Sequence, residues 1–207
     1  MKKIKSIIIF SLTTLILFSC ADKPRTGPGG PTLVPGASKE VLAQEPDWYT
    51  NPPKEEGFII GKGEGTSASK RGSRAKAKND LINDLQQKSK VISEGRNEDF
   101  FKETGGDYDS EVYQQFEQIQ TTVWNGVIEN WTEKNSETVV EASFDAQGNK
   151  KNIYRCYLLG EINVFLADQR LLEKMKKEKE LMTAFQATQA YDKLQDDLER
   201  YKDKLGM

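Results

Sequence analysis

Glycine occupies every second position at Gly61, Gly63 and Gly65, between the apolar triplet Phe58-Ile59-Ile60 and a long run of helical periodicity. Glycines this dense let a backbone reverse sharply or approach another backbone closely, and both uses restrict the fold around them. Residues 46 to 85 accordingly read as a docking loop, a buried strand, a glycine turn and a helix start. In the loop, Trp48 plugs one end of the core, and Asn51-Pro52-Pro53 hold an extended path that excludes helix. Thr66 or Ser67 caps the helix, and Ala68, Ala75, Ala77, Leu81, Ile82 and Leu85 recur along one face. The opposite face carries Lys70, Arg71, Arg74, Lys76 and Lys78.

The glycine run bears on ligand chemistry in three ways. A phosphate-cradling P-loop needs a Gly-Lys-Ser/Thr triplet at fixed spacing, which is missing. A dinucleotide fingerprint is partly matched by Gly63-x-Gly65-x-x-Ala68, but no second strand ending in an acidic residue follows. A helix N-terminus attracts anions, so Lys62, Lys70, Arg71 and Arg74 are candidate anion or partner contacts. The simpler reading is a tight strand-to-helix corner.

The first 45 residues have a different character. Lys2, Lys3 and Lys5 precede an apolar stretch from Ile7 to Phe18, shorter than the roughly 20 residues a membrane span needs. This is the form of a secretory leader. It ends in Leu17-Phe18-Ser19-Cys20, which has the form of a lipobox, with cleavage between Ser19 and Cys20 and lipid on Cys20. The resemblance of this stretch to bacterial lipoproteins implies that the residue after the cysteine influences sorting, and Ala21, rather than aspartate, then favours lipid anchoring at a bacterial outer membrane. Residues 20 to 45 are then a lipidated cysteine and a Pro/Gly-rich tether that cannot bury enough apolar surface to order itself.

Composition excludes several functions. The chain has no histidine, which removes the usual general base and the commonest metal ligand. Its two cysteines are Cys20 and Cys156; with Cys20 acylated, neither an intramolecular disulfide nor a thiolate zinc cluster can form. The net charge of −2 becomes more acidic once the leader lysines are removed, which disfavours nucleic acid as a partner. The acidic segment from Glu94 to Glu111 lacks the fixed glycine and terminal glutamate of a calcium loop and reads as a mobile loop. No cofactor, metal or catalytic residue is indicated, and the chain reads as a non-enzyme.

After that loop, Val112, Phe116, Ile119 and Val123 mark a helix over about 109 to 121. Trp124 to Trp131 is rich in β-formers, Thr138 to Phe144 alternates, and Ile153 to Ile162 is a final strand burying Cys156 as a small hydrophobe. Asp145 to Asn149 is turn chemistry. From Asn163 to Leu205 neither glycine nor proline interrupts a helix. Its apolar residues follow two spacing sets, from Leu171 to Phe185 and from Tyr191 to Leu205, with a phase slip between them. Such a stripe predicts helix–helix packing, as a coiled coil between copies.

Pro46-Asp47-Trp48, Asn51-Pro52-Pro53, Ile60-Gly61-Lys62-Gly63-Glu64-Gly65, the alanine-bearing helix after Ser67 and Asn125-Gly126-Val127 together resemble the Lpp-twenty family of bacterial envelope lipoproteins. That group includes flagellum-associated lipoproteins that build a disk around the motor. The resemblance covers about 46 to 162 and implies helices on an antiparallel sheet, anchoring through Cys20 and oligomerisation. It carries no catalytic residues. The hairpin around Asp145 to Lys151 and the C-terminal extension depart from it.

The expected fold class is α+β: a small antiparallel sheet with helices packed on one face over 46–162, then a long C-terminal helix over 163–207. The expected function is a non-catalytic lipid-anchored protein that self-assembles or scaffolds an envelope structure, with flagellar proteins among its candidate partners. The alternative is a monomeric module that binds peptidoglycan, glycan or a surface ligand, with Trp48, Trp124 and Trp131 as its aromatic contacts.

Overall fold

The computed structural model describes residues 45–105, 110–144 and 148–205. The fold is α+β: a three-stranded antiparallel sheet in the order β1-β3-β2, with helices packed around it. In chain order the elements are α1 (Asp47–Thr50), β1 (Phe58–Ser67), α2 (Lys70–Thr104), α3 (Glu111–Ile128), β2 (Thr132–Phe144), β3 (Lys150–Asn163), α4 (Val164–Met175), α5 (Lys179–Gln186) and α6 (Gln189–Leu205).

The glycines are not a turn. Gly61, Gly63 and Gly65 lie inside β1, paired opposite Gly160, Leu158 and Cys156 of β3. They face α2, which runs back along the strand. A Cβ at Gly61 would lie 2.6 Å from Leu85 Cγ, at Gly63 2.0 Å from Ala77 O, and at Gly65 2.2 Å from Ser73 O. The spacing has a geometric cause. Two strand residues advance about 6.6 Å and four helical residues about 6 Å, so each successive glycine meets a helix position four residues from the last. The corner itself comes later, with Ser69 as N-cap, its Oγ accepting from Gly72 N–H at 3.1 Å. Neither Thr66 nor Ser67 caps the helix, because both still belong to β1.

The same match closes the free edge of β1. Asp84 accepts from Lys62 N–H at 2.8 Å, and Asp80 from Glu64 N–H at 2.9 Å. Lys88 donates to Ile60 O and Lys76 to Thr66 O. Side chains of α2 thus occupy backbone groups that would otherwise invite another strand. Among the described residues, no strand pairs with the outer edge of β2.

Three further expectations are corrected. The acidic segment from Glu94 is not a loop: α2 continues to Thr104 over 35 residues. Its acidic side chains find cations at helical spacing and beyond, in Lys90–Glu94, Lys102–Glu98 and Lys193–Asp99. Asp107 and Asp109 lie outside the described residues. Residues from Trp124 onward are not a strand: α3 runs to Ile128, with Trp124, Val127 and Ile128 buried. Finally, the helix from 163 is divided into α4, α5 and α6, leaving Gln189–Leu205 as the C-terminal helix. The second break falls at the phase slip in the apolar spacing, between Phe185 and Tyr191, which lets the chain turn and bury Phe185 before it and Leu194 and Leu198 after it.

Two cores result. The first joins the sheet to α2 and the end of α3 through Ile59, Ala77, Leu81, Leu85, Val123, Trp124, Cys156, Leu158 and Ile162. The second joins the far end of α2 and the start of α3 to α4–α6 through Phe100, Phe116, Phe185, Leu171, Met175, Leu181, Leu194 and Leu198. The C-terminal stripe is therefore buried within the chain, against Phe100 and Phe116, rather than left for another copy. On the other face of the sheet, Tyr49 rather than Trp48 is the buried aromatic of α1, packing on Tyr157 at 4.8 Å.

Candidate functional site

The four cations that the sequence singles out do not converge. Lys62 alternates with the glycines, so it points away from α2, and its Nζ stands 4.9 Å over the Tyr49 ring. Arg74 reaches across to Glu133 of β2 at 2.6 Å. Lys70 and Arg71 are exposed in the first turn of α2, whose N-terminal amides are partly served by Ser69. Ser19 and Cys20 lie outside the described residues.

On the face that bears α1, Arg155 joins two strands, reaching Glu64 of β1 at 2.5 Å and Glu141 of β2 at 2.8 Å. These carboxylates hold the guanidinium protonated against the cost of its partial burial. Tyr49, beside them, has its hydroxyl pushed up to about 12, first by burial and then by Glu64 and Asp80. Both groups are locked in their ordinary protonation state. The cluster serves as an ionic latch between strands and offers no group poised for proton transfer.

A second polar feature lies between α2 and α3. Gln86, Ser89, Ser93 and Asn97 from α2 face Gln120, Thr121, Trp124, Asn125 and Ile128 from α3 across a cleft of about 310 Å³. The cleft exists because α2 presents serines there: after Leu81 and Leu85, the inward series continues to Ser89, too small to fill the space. Ser89 is buried and donates back to Gln86 O at 3.0 Å. Gln120 is only 1% exposed; its Nε2 donates to Asn97 Oδ1 at 2.6 Å, and its Oε1 has no partner. A buried carbonyl oxygen without a donor costs about 1–3 kcal/mol. Lys90, Glu94 and Glu117 sit at the rim.

No protein-family model, curated protein or solved structure matches the chain. The resemblance to the Lpp-twenty lipoproteins therefore rests on the quoted motifs alone. Of those motifs, the glycine run has a structural account in β1–α2 packing.

Sequence reasoning reached Trp124 as an aromatic candidate but missed Gln120, Ser89 and Asn97. Their signal was present: polar residues at positions where helical spacing calls for apolar ones, namely Ser89 four after Leu85 and Gln120 four after Phe116. Trp131, another aromatic candidate, covers Gly160, where a Cβ would lie 2.6 Å from its ring, and Lys78 stands over it at 6.0 Å. Trp48 packs edge-on against Tyr49. Among the described residues no group of three or more His, Cys, Asp or Glu could hold a metal ion, and no helix is long and apolar enough to cross a membrane.

Proposed function

We propose that this chain is a non-catalytic, lipid-tethered protein of a bacterial outer membrane, whose folded head scaffolds an envelope structure. The observation that carries the reading is the leader ending in Leu17-Phe18-Ser19-Cys20. The position of the fold is compatible with it: among the described residues, burial begins at Pro46 and Tyr49, just after the Pro/Gly-rich segment that would be the tether. A diacylated or triacylated cysteine holds such a head firmly, since each buried CH₂ contributes about 0.8 kcal/mol.

Self-assembly remains part of this reading, on a different basis from a coiled coil. The apolar stripe of α4–α6 is used inside the chain, whereas among the described residues no strand pairs with the outer edge of the 13-residue β2, on which Val140 is exposed. A place in a flagellar structure follows only from the motif resemblance. Membrane fractionation of the full chain and of Cys20→Ser tests the anchor. The expected result is membrane association that survives high salt and is lost in the variant. An unchanged distribution contradicts the reading.

A second reading, a monomeric ligand-binding head, is favoured by the cleft between α2 and α3, where Trp124 flanks the unpartnered Gln120 Oε1.

A further inference from the structure

We infer that the α2–α3 cleft binds an acetamido group carried on a sugar, as in an N-acetylated hexosamine of a glycan strand. The inference deepens the second reading and is independent of the lipid anchor.

The cleft supplies complementary contacts for each part of such a group. Gln120 Oε1 is a buried acceptor without a donor, so it calls for a ligand N–H or O–H. Asn97 Oδ1 is occupied by Gln120 Nε2, and no hydrogen bond is found for its own amide N–H groups, which can donate to a ligand carbonyl. Trp124 and Ile128, each 4% exposed, reach the cleft only at their edges and give it an apolar spot the size of a methyl group. An amide N–H, a carbonyl and a methyl occur together in an acetamido substituent. Ser93, Thr121 and Asn125 add hydroxyl and amide groups that suit ring hydroxyls. Both signs of charge at the rim, in Lys90, Glu94 and Glu117, favour a neutral ligand over an anion. The volume, about 310 Å³, is at the small end of ligand sites, which fits one sugar unit with its substituent.

Gln120 and Asn97 are a linked pair: one hydrogen bond of 2.6 Å ties the orientation of each amide to that of the other, leaving one donor end and one acceptor end for a ligand. A ligand that takes both free ends completes the network. A plain hexose can offer a hydroxyl to each free end, but it brings no methyl group to the apolar part of the cleft and no fixed N–H and C=O pair to span the two amides. Loss of a methyl contact alone is worth about tenfold or more in discrimination.

The test is ligand-observed NMR on the full chain in a detergent without sugar headgroups, with N-acetylglucosamine, its β-1,4-linked oligomers, glucose and an N-acetylated lysine peptide as probes. Sedimentation with purified cell-wall sacculi distinguishes free sugar from polymer as the source. The expected result is saturable binding of the acetylated sugars, at least tenfold weaker binding of glucose and of the peptide, and at least tenfold loss in Gln120→Leu. That variant replaces the unpaired amide with an apolar side chain of similar size, and its thermal unfolding is measured alongside. Ser93→Phe fills the cleft from α2 and is expected to abolish binding as well. Cys20→Ser is expected to bind as the parent does, so failure of the anchor and failure of the site read out separately. The inference is overturned by absent binding of every acetylated sugar, by equal binding of glucose or the peptide, or by unchanged affinity in folded Gln120→Leu and Ser93→Phe.

Discussion

Gly63 holds the tightest contact between the sheet and α2, since its missing Cβ would stand 2.0 Å from Ala77 O and 2.5 Å from Leu81 N, both of them backbone. Gly63→Ala is therefore expected to cost about 1–3 kcal/mol, read as a lowered urea midpoint. Gly95 is the counter-case: it lies inside α2 with nothing within 4 Å of its Cβ position. Gly95→Ala is expected to stabilise by about 0.5–1 kcal/mol through helix propensity. Asp168 is the third residue with a measurable signature. It is fully buried on α4, with Arg96 Nη2 2.7 Å away but off hydrogen-bond alignment. Burial pushes its carboxyl from 3.8 up to about 6; Arg96 opposes the shift and Asp197 adds to it. The native state thus holds this proton more tightly than the unfolded chain. The stability it contributes is full below about pH 4 and is lost as pH rises through about 6. Holding that proton is worth about 3 kcal/mol to the native state. Asp168→Asn should gain stability relative to the parent by about that amount between pH 4 and pH 7 in denaturant titrations. Equal pH dependence in the two proteins contradicts the buried-carboxylate account.

At the scale of elements, the pairing of α2 with β1 does two things at once. Its apolar and small residues, Ser73, Ala77, Leu81 and Leu85, cover the glycines, while Asp80, Asp84, Lys76 and Lys88 close the strand's outer edge. The double variant Asp80→Ala/Asp84→Ala is expected to lose only ~1 kcal/mol, since water can serve the freed amides of an exposed edge. It is also expected to associate with rising concentration in light scattering, because an uncovered edge recruits strands. A strictly monomeric variant contradicts a protective role for these carboxylates. Much of this layer was legible in the sequence: the strand at Phe58, the helix after it, the β2–β3 hairpin and the C-terminal helical periodicity. The role of the glycines was not, because alternate glycines in a strand and glycines in a turn look alike until the helix is laid alongside. The length of α2 was hidden for a related reason. Its acidic half resembles a loop by composition, and Phe100, which fixes it in the second core, is a single buried aromatic among charges. The cleft was hidden because its polar residues are informative only once α3 is placed opposite α2.

At the scale of the whole molecule, one helix is shared by two hydrophobic cores. Phe100 near the end of α2 packs on Phe116 at 4.4 Å, and Phe116 on Phe185 at 5.2 Å. Leu81 and Leu85 of the same helix belong to the other core. The two cores should therefore unfold together. Phe185→Ala is expected to cost about 3–5 kcal/mol and to lower the midpoint seen by tryptophan fluorescence as well as by circular dichroism. Trp124 and Trp131 both lie with the first core, away from the substitution, so separate transitions would show two independent units. The C-terminal helices complete the second core and are not a free arm. The two cores then form one folded unit, with a cleft between α2 and α3 and, among the described residues, an unpaired β2 edge. The central claim is that this body is held to a membrane by Cys20, and intact-mass spectrometry of the full chain expressed in a Gram-negative host tests it most directly. The account predicts a mature chain beginning at Cys20 with the mass of attached acyl chains. An unacylated chain, or one cleaved elsewhere, would contradict it.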